Sequence, residues 1–315
     1  MLFFSQYYNC YRLVVAAMLN RRDINTLSIW KIIGTHFDRN AKYIIHPRPV
    51  SITNELKIYG VTLKNKYFDN FNQMYAYLTD HLLNGTIGIE LDAFYLPYCI
   101  HYKKSHYSHS LEIIKIDKEK VYICDHFFNY QGSISLKALE ESVEYRAENL
   151  RRNEYSLFTI CIGESIEKKD CLELTYLALK GELNYENKTY NSVSGIKAIN
   201  AFNQEILAVI NSKDDDFIKE YIDNIYEQIK EMSNSRYHFS NYLKECHTNC
   251  DWQPVRLASQ SWGILGHILL KSAISSNSDI DITRVNSIFK KIYRYESIII
   301  NNLNNVINDR SDFNG

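Results

Sequence analysis

HSLEIIKIDKEKVYICDHF, residues 109–127, decides how the N-terminal half of this chain is read. Two β-branched, apolar-rich runs, "HSLEIIKI" and "VYICDHF", flank the polar "DKEK". That pattern predicts two antiparallel strands joined by a short turn. His109 opens the first strand and Asp125 ends the second, so a hairpin brings the two ends together. Side chains alternate between faces along a strand, so register decides whether the imidazole meets the carboxylate. A loop with an odd number of residues sets Asp125 opposite Leu111, on the face of His109 and diagonal to it. An even loop puts the two on opposite faces. Their meeting therefore requires an odd loop or a β-bulge.

Outward from the hairpin, "GTIGIELDAFYL" (85–96) predicts a strand running into a loop at Pro97, and "NEYSLFTICIG" (153–163) another strand. "SLKALEESVEYRAEN" (135–149) has helical spacing with Ser135 as cap, and "IYGVTLK" (58–64) is a short extended piece. Upstream, "TLSIWKIIGTHF" (26–37) and "FDNFNQMYAYLTDHLLN" (68–84) have helical spacing, the second stopping near Asn84-Gly85. Helices followed by mostly antiparallel strands predict an α+β domain over residues 1–165. Beyond Gly163 the strand signal ends. Segments 191–210, 215–233, 236–246, 255–274 and 282–307 all carry helical spacing, which predicts an all-helical C-terminal domain over 166–315.

At the other end, "YRLVVAAMLN" (11–20) is apolar almost all round and predicts a buried helix, with Asn9 as N-cap and Asn20 as its stop. Cys10 then occupies the first helical position. Unpaired amides and the helix dipole favour an anion there, and cysteine acidity rises at such sites. A cysteine at a helix start has a second reading, as a small core residue.

Composition narrows the classes. The 315 residues are 45% hydrophobic, enough to bury a core, and 36 Lys+Arg nearly balance 37 Asp+Glu. No polybasic surface points to nucleic acid. Seven cysteines without dense, regular spacing do not suit a disulfide scaffold and predict free thiols in a reducing cytoplasm. Leu13–Leu19 is short for a secretory core and has arginines after it, and no apolar run approaches a membrane span, so no membrane partner is expected. "CIHYKKSHYSH" (99–109) and "CHTNC" (246–250) do not have zinc-finger or ribbon spacing, so no metal is expected.

Cys10 on a helix start, His109 on a strand and Asp125 on the next strand have the residue types of a cysteine-nucleophile triad. The histidine takes the thiol proton, and the acid orients the imidazole. The segments "NCYRLVVAAML", "GTIGIELDAFYLPY" and "HYKKSHYSHSLEIIKIDKEKVYICDHF", with the helical tail, resemble the butirosin-type acyltransferase family, nearest its closthioamide-type, amide-forming branch. The most specific matches are Asp92-x-x-Tyr95-x-Pro97-Tyr98, His106-x-x-His109 and Cys124-Asp125. The resemblance implies a papain-like cysteine protease fold with an added helical domain. It implies transfer of a hydroxybenzoyl- or β-alanyl-type acyl chain from a carrier-protein thioester to a small amine, a diamine above all. The carrier's phosphopantetheine arm would be substrate, with no bound cofactor. Carried over, Cys10 is nucleophile, His109 base and Asp125 orienting acid. Gln6, four residues before Cys10 and nearer than the family's oxyanion glutamine, is the candidate second oxyanion donor beside the Cys10 amide.

His106 competes with His109 as base, but only His109 leads directly into the apolar strand. Asp92 and Tyr95 admit two readings: a loop held by an Asx-type turn, or a pocket wall that touches the amine. Cys124 should face away from Asp125 and pack. The same triad would serve a cysteine peptidase or amidase, and a non-catalytic module with a buried thiol is the third possibility.

Overall fold

The computed structural model describes residues 2–5, 7–26, 31–41, 44–82, 85–149, 154–163, 171–183, 192–274 and 280–312, except for the side chains of 310–312. In chain order the first elements are α1 (Cys10–Asn20), β1 (His36–Phe37), β2 (Ile45–His46), α2 (Ile52–Ile58), β3 (Val61–Phe68), α3 (Phe71–His81) and β4 (Ile87–Asp92). Then come β5 (Ser108–Asp117), β6 (Lys120–Asp125), β7 (Tyr130–Ser135), α4 (Leu136–Asn149) and β8 (Tyr155–Ile162). The remainder is α5 (Cys171–Lys180), β9 (Val193–Ser194), α6 (Ile196–Asn211), α7 (Asp215–Cys246), α8 (Gln253–Ile274) and α9 (Ile282–Asp312). The chain is α+β, with two antiparallel sheets among the described residues.

It divides into two compact units. Residues 1–26 and 60–165 form one, and residues 27–59 and 166–315 the other. The sequence places 27–59 with the N-terminal domain; the structure packs it in the helical unit. The cause is a long-range pairing: β1 lies antiparallel to both β2 and β9, with His36 opposite Ser194. Residues 31–35 are accordingly irregular and 36–37 extended, where helical spacing predicts a helix over 26–37. Residues 27–30 of that segment lie outside the described residues.

The first unit holds a six-stranded antiparallel sheet in the order β3-β8-β4-β5-β6-β7. Leu111 and Ile113 of β5 pack with Phe71, Met74 and Leu78 of α3 and Leu139 and Val143 of α4 in one apolar cluster. Glu112, between them, instead meets Arg21 at the end of α1. The alternation of β5 thus shares its two faces between α3/α4 and α1. α1 is buried from Arg12 to Leu19, as its all-round apolarity requires, and the Asn9 side chain accepts the Arg12 N–H at 2.9 Å. Ser135 likewise caps α4, accepting from the Ala138 N–H. β7 and α5 are elements that the sequence reading does not include.

In the second unit α7 is one helix of 32 residues, where the spacing predicts two. Asn234 and Ser235, at the expected break, are buried within it, and Ser235 turns its hydroxyl back onto the Met232 carbonyl. An apolar core runs through α6, α7, α8 and α9 around Phe202, Trp262 and Phe289. Among the described residues no helix is long and apolar enough to cross a membrane.

Candidate active site

The hairpin turn is the even one. Asp117 pairs with Lys120, leaving only Lys118 and Glu119 between the strands. Continued unchanged, that register would separate His109 from Asp125. It changes at a β-bulge: Lys115 pairs with Tyr122 but Ile113 with Ile123, so Ile114 is the extra residue. Beyond the bulge Glu112 pairs with Cys124, which sets Asp125 opposite Leu111, two residues along from His109. The His109 Nε2–H donates to Asp125 Oδ2 at 2.7 Å, and both side chains are buried.

Asp125 has three further donors. Tyr98 gives its hydroxyl to Oδ2 at 2.8 Å, and the Phe127 and Phe128 amides give theirs to Oδ1 at 3.1 and 3.0 Å. These bonds hold the carboxyl below its ordinary pKa against the opposing effect of burial, His109 foremost among them. The Tyr98 ring is fixed by stacking on Tyr130, with centroids 3.8 Å apart and planes within 4°. Phe127 and Phe128 stand against the His109 ring at 5.8 and 4.8 Å and keep water from it.

With Nε2–H committed to Asp125, Nδ1 is the basic nitrogen. It is buried and has no acceptor or donor at full hydrogen-bond geometry among the described residues. Cys10, at the start of α1, is the group electrostatically coupled to the ring. Burial pushes the Cys10 thiol up, but His109, with the Ser110 amide and hydroxyl, more than reverses this and lowers it. Burial pushes His109 down, but Asp125 and Cys10 together raise it to about 9. Each group therefore favours the charged form of the other, a thiolate beside an imidazolium. Cys10 is partly exposed and so within reach of a substrate. Asn9 takes the Arg12 amide, which leaves the amides at the very start of the helix as the candidate donors to developing negative charge.

Asp92 falls on the bland side of its two readings. Its carboxylate is fully buried and caps the single 3-10 turn Ala93–Tyr95, accepting from the Phe94 amide at 2.8 Å and the Tyr107 amide at 3.3 Å. Its other oxygen lies 3.1 Å from His106 Nδ1. A carboxylate at a strand end captures the nearest backbone N–H groups, and none of its surface is left for an amine. Tyr95 packs with Phe94, His106 and Tyr145. His106, held by Asp92 and stacked on Tyr145, belongs to that loop and not to the Asp125 site. Gln6 lies outside the described residues.

Three features escape the sequence reading. Tyr98 appears there as a motif letter without a role; the signal was a tyrosine beside a strand-end loop, which fixes no partner. Ser110, next to His109, lowers the Cys10 thiol through its amide and hydroxyl. A second buried network lies alongside: the Phe3 N–H donates to His126 Nδ1, His126 Nε2–H donates to Glu112, and Glu112 takes the Arg21 guanidinium through both oxygens. Burial alone would raise Glu112, but His126 and Arg21 bring it down to about 2. Arg21 also approaches Cys124 at 3.7 Å, so Cys124 faces away from Asp125, as alternation demands.

Fold and site together define an α+β chain carrying a cysteine–histidine–aspartate constellation, the cysteine on a helix start and its partners on neighbouring strands. No protein-family model and no curated protein matches the chain.

Proposed function

We propose that this chain is a papain-like cysteine acyltransferase of the cytoplasm. It moves an acyl group from a carrier-protein thioester through a Cys10 thioester to a small amine, forming an amide. The observation that carries this reading is the buried 2.7 Å His109–Asp125 hydrogen bond together with a partly exposed Cys10 at the start of α1, whose thiol His109 lowers. The thiolate attacks the thioester carbonyl; the pantetheine C–S bond breaks, and the His109 proton goes to the departing thiolate. One thioester is exchanged for another, so no ATP is needed. Aminolysis then runs downhill to the amide. A thioester is already activated, so the protein's tasks are placement of the amine and removal of its proton.

The amine acceptor and the carrier follow from the family resemblance. A cysteine peptidase or amidase using the same three residues is the second reading. Intact-mass analysis separates the two. Incubation with an acylated carrier protein should add the acyl mass to Cys10, and a diamine should discharge it as amide. Cys10→Ala should take no acyl group. Ready peptide cleavage, with hydrolysis dominant at saturating amine, would overturn acyl transfer in favour of the peptidase.

A further inference from the structure

Cys10 and its two partners come from separate pieces of chain. The thiol is on α1, while His109 and Asp125 are on β5 and β6. Apolar contacts bury α1 from Leu13 to Leu19. Such contacts are non-directional and tolerate sliding or rotation of a helix. A thiol that must meet one ring nitrogen needs a directional constraint as well.

The His126–Glu112 network supplies one. Phe3 lies seven residues before Cys10, and Arg21 eleven after it. The Phe3 N–H donates to His126 Nδ1 at 3.0 Å. Arg21, at the end of α1, gives Glu112 two bonds, from Nε at 3.0 Å and from Nη2 at 2.9 Å. A bidentate guanidinium–carboxylate pair fixes direction as well as distance. His126 Nε2–H donates to Glu112 at 3.0 Å and joins the two anchors. Their places on the strands matter: His126 directly follows Asp125, and Glu112 is three residues from His109 on β5. The segment that bears the nucleophile is thus tied, on both sides of Cys10, to the strands that bear the base and the acid.

A backbone N–H can only donate, so His126 Nδ1 is bare and Nε2 carries the proton that Glu112 accepts. Both side chains are fully buried, so a partner that is removed is not replaced by water. We infer that His126 and Glu112 are positioning residues, which hold α1 so that the Cys10 thiol meets His109 Nδ1. They act through α1 and the strands, not on the substrate. The clamp serves the Cys10–His109 pairing whatever the acyl donor and acceptor are, so neither is needed to test it.

The test is the pH profile of Cys10 alkylation by iodoacetamide, with Cys246 as reference and circular dichroism as the check on folding. His126→Leu removes both ring nitrogens. Cys10 reactivity at pH 7 should fall about tenfold, since a displacement of about 1 Å can cost about 10²-fold. The profile should also move up toward pH 9, the ordinary value for its thiol here. His126→Gln can accept from Phe3 with its amide oxygen and donate to Glu112 with its amide nitrogen, so it should stay within about twofold of wild type. Phe3→Pro deletes the donated N–H, and Phe3→Ala keeps it. Only the first should lower Cys10, which decides the matter where His126→Leu fails to fold. A folded His126→Leu with the wild-type profile, or equal loss in His126→Gln and His126→Leu, would overturn the clamp. His109→Ala, run in parallel, separates the two failures. If it lowers Cys10 and a folded His126→Leu does not, the clamp alone falls. If it leaves Cys10 unchanged, the thiol–imidazole pairing falls, and the clamp has nothing to position.

Discussion

Removing His109 should disarm Cys10 by an amount that the site itself sets. His109 rises from 6.5 to about 9. At about 1.4 kcal/mol per pH unit, that is about 3 kcal/mol in favour of the charged ring. Asp125 and the Cys10 thiolate share it. Each 1.4 kcal/mol of it that falls to Cys10 is a factor of about ten in thiolate population. In His109→Ala only Ser110 still opposes the burial of Cys10, so the loss at pH 7 should be tenfold or more. The assay is alkylation by iodoacetamide from pH 5 to 10, followed peptide by peptide, with the exposed Cys246 as internal reference. Wild-type Cys10 should stay reactive well below pH 9, the ordinary value for its thiol here. The pair also links stability to pH. A raised imidazole contributes fully below 6.5 and its contribution is lost as pH climbs through about 9. The lowered Cys10 thiol has the opposite slope, because the unfolded thiol keeps its proton up to about pH 9, so the two offset each other across that window. Wild-type stability should fall only as pH climbs past about 9, and the variant should lack that fall. An unchanged Cys10-to-Cys246 ratio in His109→Ala, or wild-type reactivity that appears only above pH 9, would refute the ion pair.

Tyr98→Phe removes one of four donors to Asp125 and should cost about 1–3 kcal/mol in urea unfolding. Its rate should fall less than that of Asp125→Asn, because His109 keeps its partner. Glu112, held at about 2, contributes stability that is complete above its unfolded value of 4.5 and is lost as pH falls through about 2. Acid unfolding followed by circular dichroism should therefore steepen below pH 4 in wild type and flatten in Glu112→Gln, which should also be less stable at pH 7. Gly88→Ala would set a Cβ 2.1 Å from the Phe158 ring, which is buried and packs on Tyr11 at 4.9 Å. A loss of about 1–3 kcal/mol is expected, read as a lower Tm; an unchanged Tm would mean that the ring can move aside.

Local chemistry determined a good part of this protein from the sequence alone. The Asn9 cap, the all-apolar α1 and the strands of the hairpin depend on neighbours within a few residues, where capping, burial and β-propensity act. Cys10 at a helix start was legible for the same reason. Asp92 was half legible, since an Asx-type turn is local but nothing local says whether any carboxylate surface remains exposed. The meeting of His109 with Asp125 was a condition in the sequence: an odd loop or a bulge. Tertiary packing chose the bulge at Ile114, because Leu111 and Ile113 must face α3 and α4 while Glu112 faces Arg21, and those helices come from distant segments. The place of residues 27–59 was beyond the sequence altogether. His36 pairs with Ser194, and periodicity carries no information about a partner more than a hundred residues away.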